Sequence, residues 1–118
     1  MKHILRYLSN SQKIIDLLDK NKILETVKLI AKIKEKEGRI FFIGVGGGAG
    51  HASHAVNDFR KICGIESYTP SDNVSELTAR INDDGWETSY RNWLKISRLN
   101  ENDLVFVISV GGGNLEKN

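Results

Sequence analysis

The sequence predicts an α/β fold, a parallel sheet with helices on both faces, preceded by two further helices. Two observations carry this. The hydrophobic pattern alternates between helical spacing and short apolar runs, in the order helix, helix, strand, helix, strand, helix, helix, strand. The run Arg39-Ile40-Phe41-Phe42-Ile43 is apolar after its first residue and lies between glycines, as a strand buried on both faces of a parallel sheet requires.

Each element has its own signal. Ile4, Leu5 and Leu8 open an apolar stripe that Ile14, Ile15, Leu17 and Leu18 continue. The polar stretch Asp19 to Lys22 is a joint, after which Ile23, Leu24, Val27, Ile30, Ala31 and Ile33 recur at helical spacing until Gly38. The first strand follows. Ala52, Ala55, Val56, Phe59 and Ile62 place a helix over 49–62, stopped by Gly64. Residues 65–69 form a second strand, ended by Pro70. Ser71-Asp72-Asn73 is a capping cluster for a short helix over 74–81. Asn82 to Gly85 is a turn, and 86–99 is amphipathic, with Trp86, Tyr90, Trp93 and Leu94 on one side. Both tryptophans are expected in the core, and Cys63 is expected to be a buried small hydrophobe. Leu104 to Ile108 is the third strand. Only Leu115 to Asn118 follow the glycine-rich stretch Gly111-Gly112-Gly113-Asn114, so the third strand is expected to be a partly bare edge. The expectation is a chain incomplete at its C-terminus, or one whose edge a partner covers.

A length of 118 residues predicts one domain. With 17 basic and 15 acidic residues, net +2, nothing draws the chain to nucleic acid or an acidic membrane. Its one cysteine cannot form an internal disulfide. No secretory signal pattern is present, and no apolar run approaches the roughly 18 residues of a membrane span. The cytoplasm is the expected location.

The stretch Gly44-Val45-Gly46-Gly47-Gly48-Ala49-Gly50 holds five glycines in seven residues between a strand and a helix. Ligands of open α/β sheets bind at the C-terminal ends of strands. Glycines there let backbone N–H groups approach an anion, and the following helix N-terminus adds a favourable dipole. The alternative is a tight turn that only packs strand on helix. The NTPase phosphate loop is excluded, because His51 stands where it needs lysine. Gly44 to Ala49 also matches a dinucleotide fingerprint, G-x-G-x-x-[GA], with Glu66 as its acid. That acid should close the second strand, however, and Glu66 opens it. His51, His54 and Asp58 follow at i, i+3 and i+7. His54 and Asp58, four apart, share a helix face, and can ligate a metal, act as base and orienting acid, or form a plain surface pair. Ser109, at the end of the third strand, should face the first glycine cluster and can bond phosphate.

Taken in order, these stretches resemble the sugar isomerase (SIS) phosphosugar-binding family, and within it the phosphoheptose isomerase group. That group carries a G-N-G-G-S-A loop, a histidine and glutamate four apart, L-T-A-x-x-N-D with G-[FW]-E nearby, and a strand ending I-S-T-S-G-N-S. Here the matching stretches are Gly44 to Ala49, His54 with Asp58, Leu77 to Asp83 with Gly85-Trp86-Glu87, and Ile108 to Asn114. The resemblance implies strand order 2-1-3, a site between strands one and three, and helices 1–37 packed between subunits of a homo-oligomer, a tetramer in the family. It implies isomerisation of sedoheptulose 7-phosphate through an enediol, assisted by Zn²⁺. Carried over, His54 is a metal ligand and catalytic group, and Asp58 is ligand or base. Gly46, Gly47, Gly48, Ser109 and Gly111 hold phosphate, and Asn82 and Asp83 border the substrate. The family's other metal ligands, a glutamine and a histidine, belong to a C-terminal half. Val45, Gly48, Val110 and Gly111 depart from the family's polar loop residues, and Asp58 from its glutamate. These departures keep open a non-catalytic phosphosugar-binding or regulatory module.

Overall fold

The computed structural model describes residues 1–113; Asn114, part of the second glycine stretch, and Leu115 to Asn118 lie outside the described residues. The chain divides into two compact units, Met1–Ile30 and the remainder from Ala31. The first holds α1 (Lys2–Leu17) and most of α2 (Lys20–Glu35). Leu18 leaves helical geometry with ψ 130, and the Asp19 carboxylate accepts from the N–H groups of Asn21 and Lys22 at 2.9 and 3.2 Å. The joint is therefore shorter than its polar composition suggests, because Asp19 caps the next helix at once. The apolar stripes stay open: Ile4, Leu5, Leu8, Ile14, Ile15, Ile23, Leu24 and Val27 are all exposed.

The second unit is built on a three-stranded parallel sheet in the order β2-β1-β3. Its strands are β1 (Ile40–Gly44), β2 (Ser67–Tyr68) and β3 (Leu104–Ile108). β1 is central, pairing Ile40 to Gly44 with Leu104 to Ile108 in full register. Against β2 only Ile40 and Phe41 are paired. The second strand is thus two residues long rather than five. Pro70 starts a 3₁₀ turn (Pro70–Asp72), which pulls the chain out of the ladder, although Ile65 and Thr69 remain buried. Alternate β1 side chains go to opposite faces. Phe42 meets Phe59 of α3 (Gly47–Lys61) and Phe106, with ring centroids 5.1 and 5.5 Å apart. Phe41 meets Tyr68 and, edge-on at 5.6 Å, Trp93 of α5 (Trp86–Ile96). This is a layer of helix on each sheet face, as predicted. β3 is the exposed edge, with Val107 at 62% exposure.

α4 (Val74–Asp84) is capped by Asn73, whose side-chain oxygen accepts from the Glu76 N–H at 3.1 Å. The predicted turn over 82–85 is instead the last turn of α4. Only Gly85, at φ 84, separates it from α5, because no earlier residue of the polar run leaves the right-handed region. Cys63 is half-buried rather than buried, just beyond the end of α3.

One polar lock joins the start of β1 to the loop before β3. The Arg39 guanidinium donates to both Asp103 carboxylate oxygens, at 3.1 and 2.7 Å, and to the Ser97 and Arg98 carbonyls. The backbone N–H groups of Arg39 and Asn100 donate to the same carboxylate. The Asp103 side chain is 2% exposed. Burial pushes its pKa up, but the bonds from Arg39 and the backbone N–H groups outweigh this and leave it below the ordinary value.

Candidate functional site at the C-terminal ends of β1 and β3

The sheet order places β1 and β3 side by side where the chain's connections diverge, the place where open α/β sheets bind ligands. A cleft of about 470 Å³ opens there. Its walls are the end of β1 with the following turn (Ile43, Gly44, Val45, Gly48), the end of β3 (Val107 to Val110), and Trp86, Glu87 and Tyr90 of α5.

The glycine cluster turns out to do two separate jobs. A Cβ on Gly44 would overlap the Gly48 backbone, and one on Gly48 would stand 2.8 Å from the Ile108 carbonyl oxygen. These two glycines let the first turn of α3 lie against the strand ends. Gly46, at φ 56, makes the turn itself, and a Cβ on Gly46, Gly47 or Gly50 would meet nothing within 4 Å. The expected loop over 44–50 is therefore a two-residue turn, since α3 already begins at Gly47. The N–H groups of Gly48 and Ala49 close this turn onto the Val45 and Gly46 carbonyls at 2.9 and 3.0 Å. Those of Gly46 and Gly47, the N-cap and first residue of α3, have no backbone acceptor among the described residues, and the helix has no side-chain cap. The packing reading thus holds for Gly44 and Gly48, while Gly46 and Gly47 leave N–H groups at a helix N-terminus without a backbone acceptor.

Across the cleft, the Ser109 hydroxyl accepts from the Gly112 N–H at 3.1 Å, drawing the turn after β3 together. Gly111, between them, is exposed. Tyr90 donates its hydroxyl to the Gly44 carbonyl at 2.9 Å, and burial pushes its pKa up, so the donor stays protonated at neutral pH. Sequence patterning alone put Tyr90 on the apolar side of α5. A hydroxyl on that stripe was the available signal that one of its residues serves a strand end.

Of the expected site residues, Gly48 and Ser109 line this cleft, Gly46, Gly47 and Gly111 are their near neighbours in the chain, and His54, Asp58, Asn82 and Asp83 lie outside its walls. His54 and Asp58 form a pair on α3, Nε2 to Oδ2 3.4 Å, with side chains 76% and 43% exposed. His51 is turned back on its own helix, Nδ1 2.9 Å from the Gly47 carbonyl oxygen. Asn82 and Asp83 end α4, exposed, with the Asn82 amide bonded to the Asp83 carboxylate at 2.8 Å. Zinc at a catalytic site takes three protein ligands. His54 and Asp58 provide two, and no group of three or more His, Cys, Asp or Glu suited to a metal occurs among the described residues. The described residues do not by themselves fit a zinc centre. Also among the described residues, no helix is long and apolar enough to cross a membrane.

No protein-family model matches the sequence, and a search of curated proteins returns no match. The fold is shared with a solved enzyme structure. More particularly, the chain is similar to the structure of phosphoheptose isomerase GmhA from Neisseria gonorrhoeae, with a TM-score of 0.79 at 20% identity. The match covers 92% of this chain and 57% of that one, so this chain spans a little over half the length of that isomerase. At this identity the likeness establishes a phosphoheptose isomerase-like fold.

Proposed function

We propose that this chain is the phosphosugar-binding part of an aldose–ketose isomerase acting on sedoheptulose 7-phosphate or a closely similar ketose phosphate. The observation that carries the reading is the cleft. At the switch point of a phosphoheptose isomerase-like fold its walls hold Val45, Gly48 and Ser109, and between Val45 and Gly48 in the chain stand Gly46 and Gly47, whose N–H groups have no backbone acceptor among the described residues. The N–H groups of Gly46 and Gly47, with Ser109 and the turn through Gly111, hold the phosphate, and Gly48 lets α3 come close enough to do so. Asn82 and Asp83 border the sugar. Asp58, paired with His54, is the candidate base that removes the proton next to the carbonyl; the resulting enediolate passes its hydroxyl proton to the other oxygen and takes the carbon-bound proton back on the former carbonyl carbon. His54 and Asp58 are the residues of this chain that a zinc ion would use. The open stripes of α1 and α2 are covered in a homo-oligomer, and the working location is the cytoplasm.

Solvent deuterium exchange into sedoheptulose 7-phosphate tests the reading. The whole protein, supplied with zinc, is expected to label the carbon next to the carbonyl, and His54→Ala is expected to abolish labelling while the sugar phosphate still binds. Absence of labelling by the wild type would sink the catalytic claim. Ser109→Ala is expected to weaken binding about three- to tenfold, the value of one hydrogen bond, as read by calorimetry.

A second reading, a phosphosugar-binding module without catalysis, is favoured by one observation. His54 and Asp58 stand outside the cleft, whose walls carry valines at 45 and 110. It predicts binding with no exchange, and His54→Ala would change nothing.

A further inference from the structure

Resting on the phosphosugar reading of the cleft, we infer that Trp86 and Glu87 form its sugar-recognising wall. Trp86 packs against the C–H face of the sugar chain, and Glu87 accepts hydrogen bonds from its hydroxyls.

Trp86 and Trp93 lie seven residues apart on one helix, on the same side by spacing, yet their surroundings differ. Trp93 is 8% exposed and packs edge-on against Phe41, whereas Trp86 is 47% exposed and lines the cleft. The reason is position. Trp86 is the first residue of α5, released by the turn at Gly85, so it reaches the open strand ends instead of the sheet face. The ring is nonetheless held in place. It lies 5.4 Å from the Tyr90 ring, and Tyr90 is tied to β1 through the Gly44 carbonyl. A fixed, half-wet indole on a cleft wall offers a flat apolar surface to the C–H groups of a polyol.

Glu87 stands beside it, exposed, with no ion pair and no side-chain hydrogen bond among the described residues. In the first turn of α5 a carboxylate is favoured by the helix dipole. An ionised carboxylate only accepts hydrogen bonds, so it suits hydroxyl groups and repels phosphate. It therefore fixes which way round the ligand lies, with the phosphate at the Gly46–Gly47 turn and Ser109, and the hydroxyl-bearing chain along α5. The polyol end of a ketose phosphate is the chemistry this pair selects.

The test compares sedoheptulose 7-phosphate with inorganic phosphate, by calorimetry on the whole protein. Trp86→Ala is expected to weaken the sugar phosphate about tenfold, leave inorganic phosphate within about twofold, and be largely rescued in Trp86→Phe. Glu87→Gln is expected to weaken the sugar phosphate about fivefold and to leave inorganic phosphate unchanged or slightly tighter, since a repulsion is removed. In the wild type, sugar binding should alter Trp86 fluorescence, and Trp86→Phe should lose that signal. If the wild type binds both ligands and the variants weaken both equally or neither, this inference is overturned and the phosphosugar reading stands. If the wild type binds neither ligand, the phosphosugar reading itself fails.

Discussion

Asp103→Ala is expected to lower the unfolding free energy by about 3 kcal/mol, the lower end of what breaking a buried ion pair costs. The lower end applies because Arg39 keeps 22% of its side chain exposed and can recover some water. Alanine would leave the guanidinium and the N–H groups of Arg39 and Asn100 without their shared acceptor. It would also release the start of the central strand from the loop that leads into the edge strand. Denaturant unfolding at pH 7 measures the loss. The pH dependence gives a second check, with a definite sign. A carboxylate whose folded pKa is depressed stabilises the fold fully above its unfolded value, and that stability is lost as pH falls through the folded value. Asp103 lies below the ordinary 3.8, so wild type and variant should differ by a constant amount at neutral pH and converge only below about pH 4. A gap that closed between pH 5 and 8 would contradict this account.

Gly44→Ala is the second large effect. The added methyl would overlap the Gly48 backbone, which cannot step aside as a flexible side chain could. The cost is expected to be about 2–3 kcal/mol, in the upper part of the overpacking range. It would fall on the site as well as on stability, because α3 must move away from β1 and carries the Gly46–Gly47 turn with it. Gly50→Ala is the contrast. It lies inside α3, has open space at its Cβ position and needs no left-handed backbone, so alanine is expected to stabilise by about 0.5–1 kcal/mol. Thermal melts of the two variants should shift in opposite directions. Equal destabilisation by both would mean that the cluster is needed only as a flexible run.

Much of this fold is legible in local pattern. The run Ile40 to Ile43 predicts a strand buried on both faces, and β1 is the central strand with Ile40, Phe41 and Phe42 all buried. The spacing of Ala52, Val56 and Phe59 predicts α3, and the capping cluster before Val74 predicts the start of α4. The site is legible only in part. Gly48 and Ser109 come together in the cleft, whereas Trp86 and Glu87 stand out only as part of a family-like stretch and Tyr90 only as one residue of an apolar stripe, with nothing local to show that they line it.

What the sequence alone determined is therefore the kind and order of the elements, because hydrophobic period, caps and glycines act within a few residues. Only the tertiary structure decided which glycines pack and which face solvent, since that depends on how closely α3 lies to the ends of β1 and β3. It also decided that Tyr90 bonds Gly44, 46 positions away, and that Arg39 bonds Asp103, 64 positions away. Two tryptophans seven apart look alike to any periodic pattern. One is buried and one lines a cleft because the sheet ends between them, and where a sheet ends is a property of the packed strands, not of the helix that crosses it.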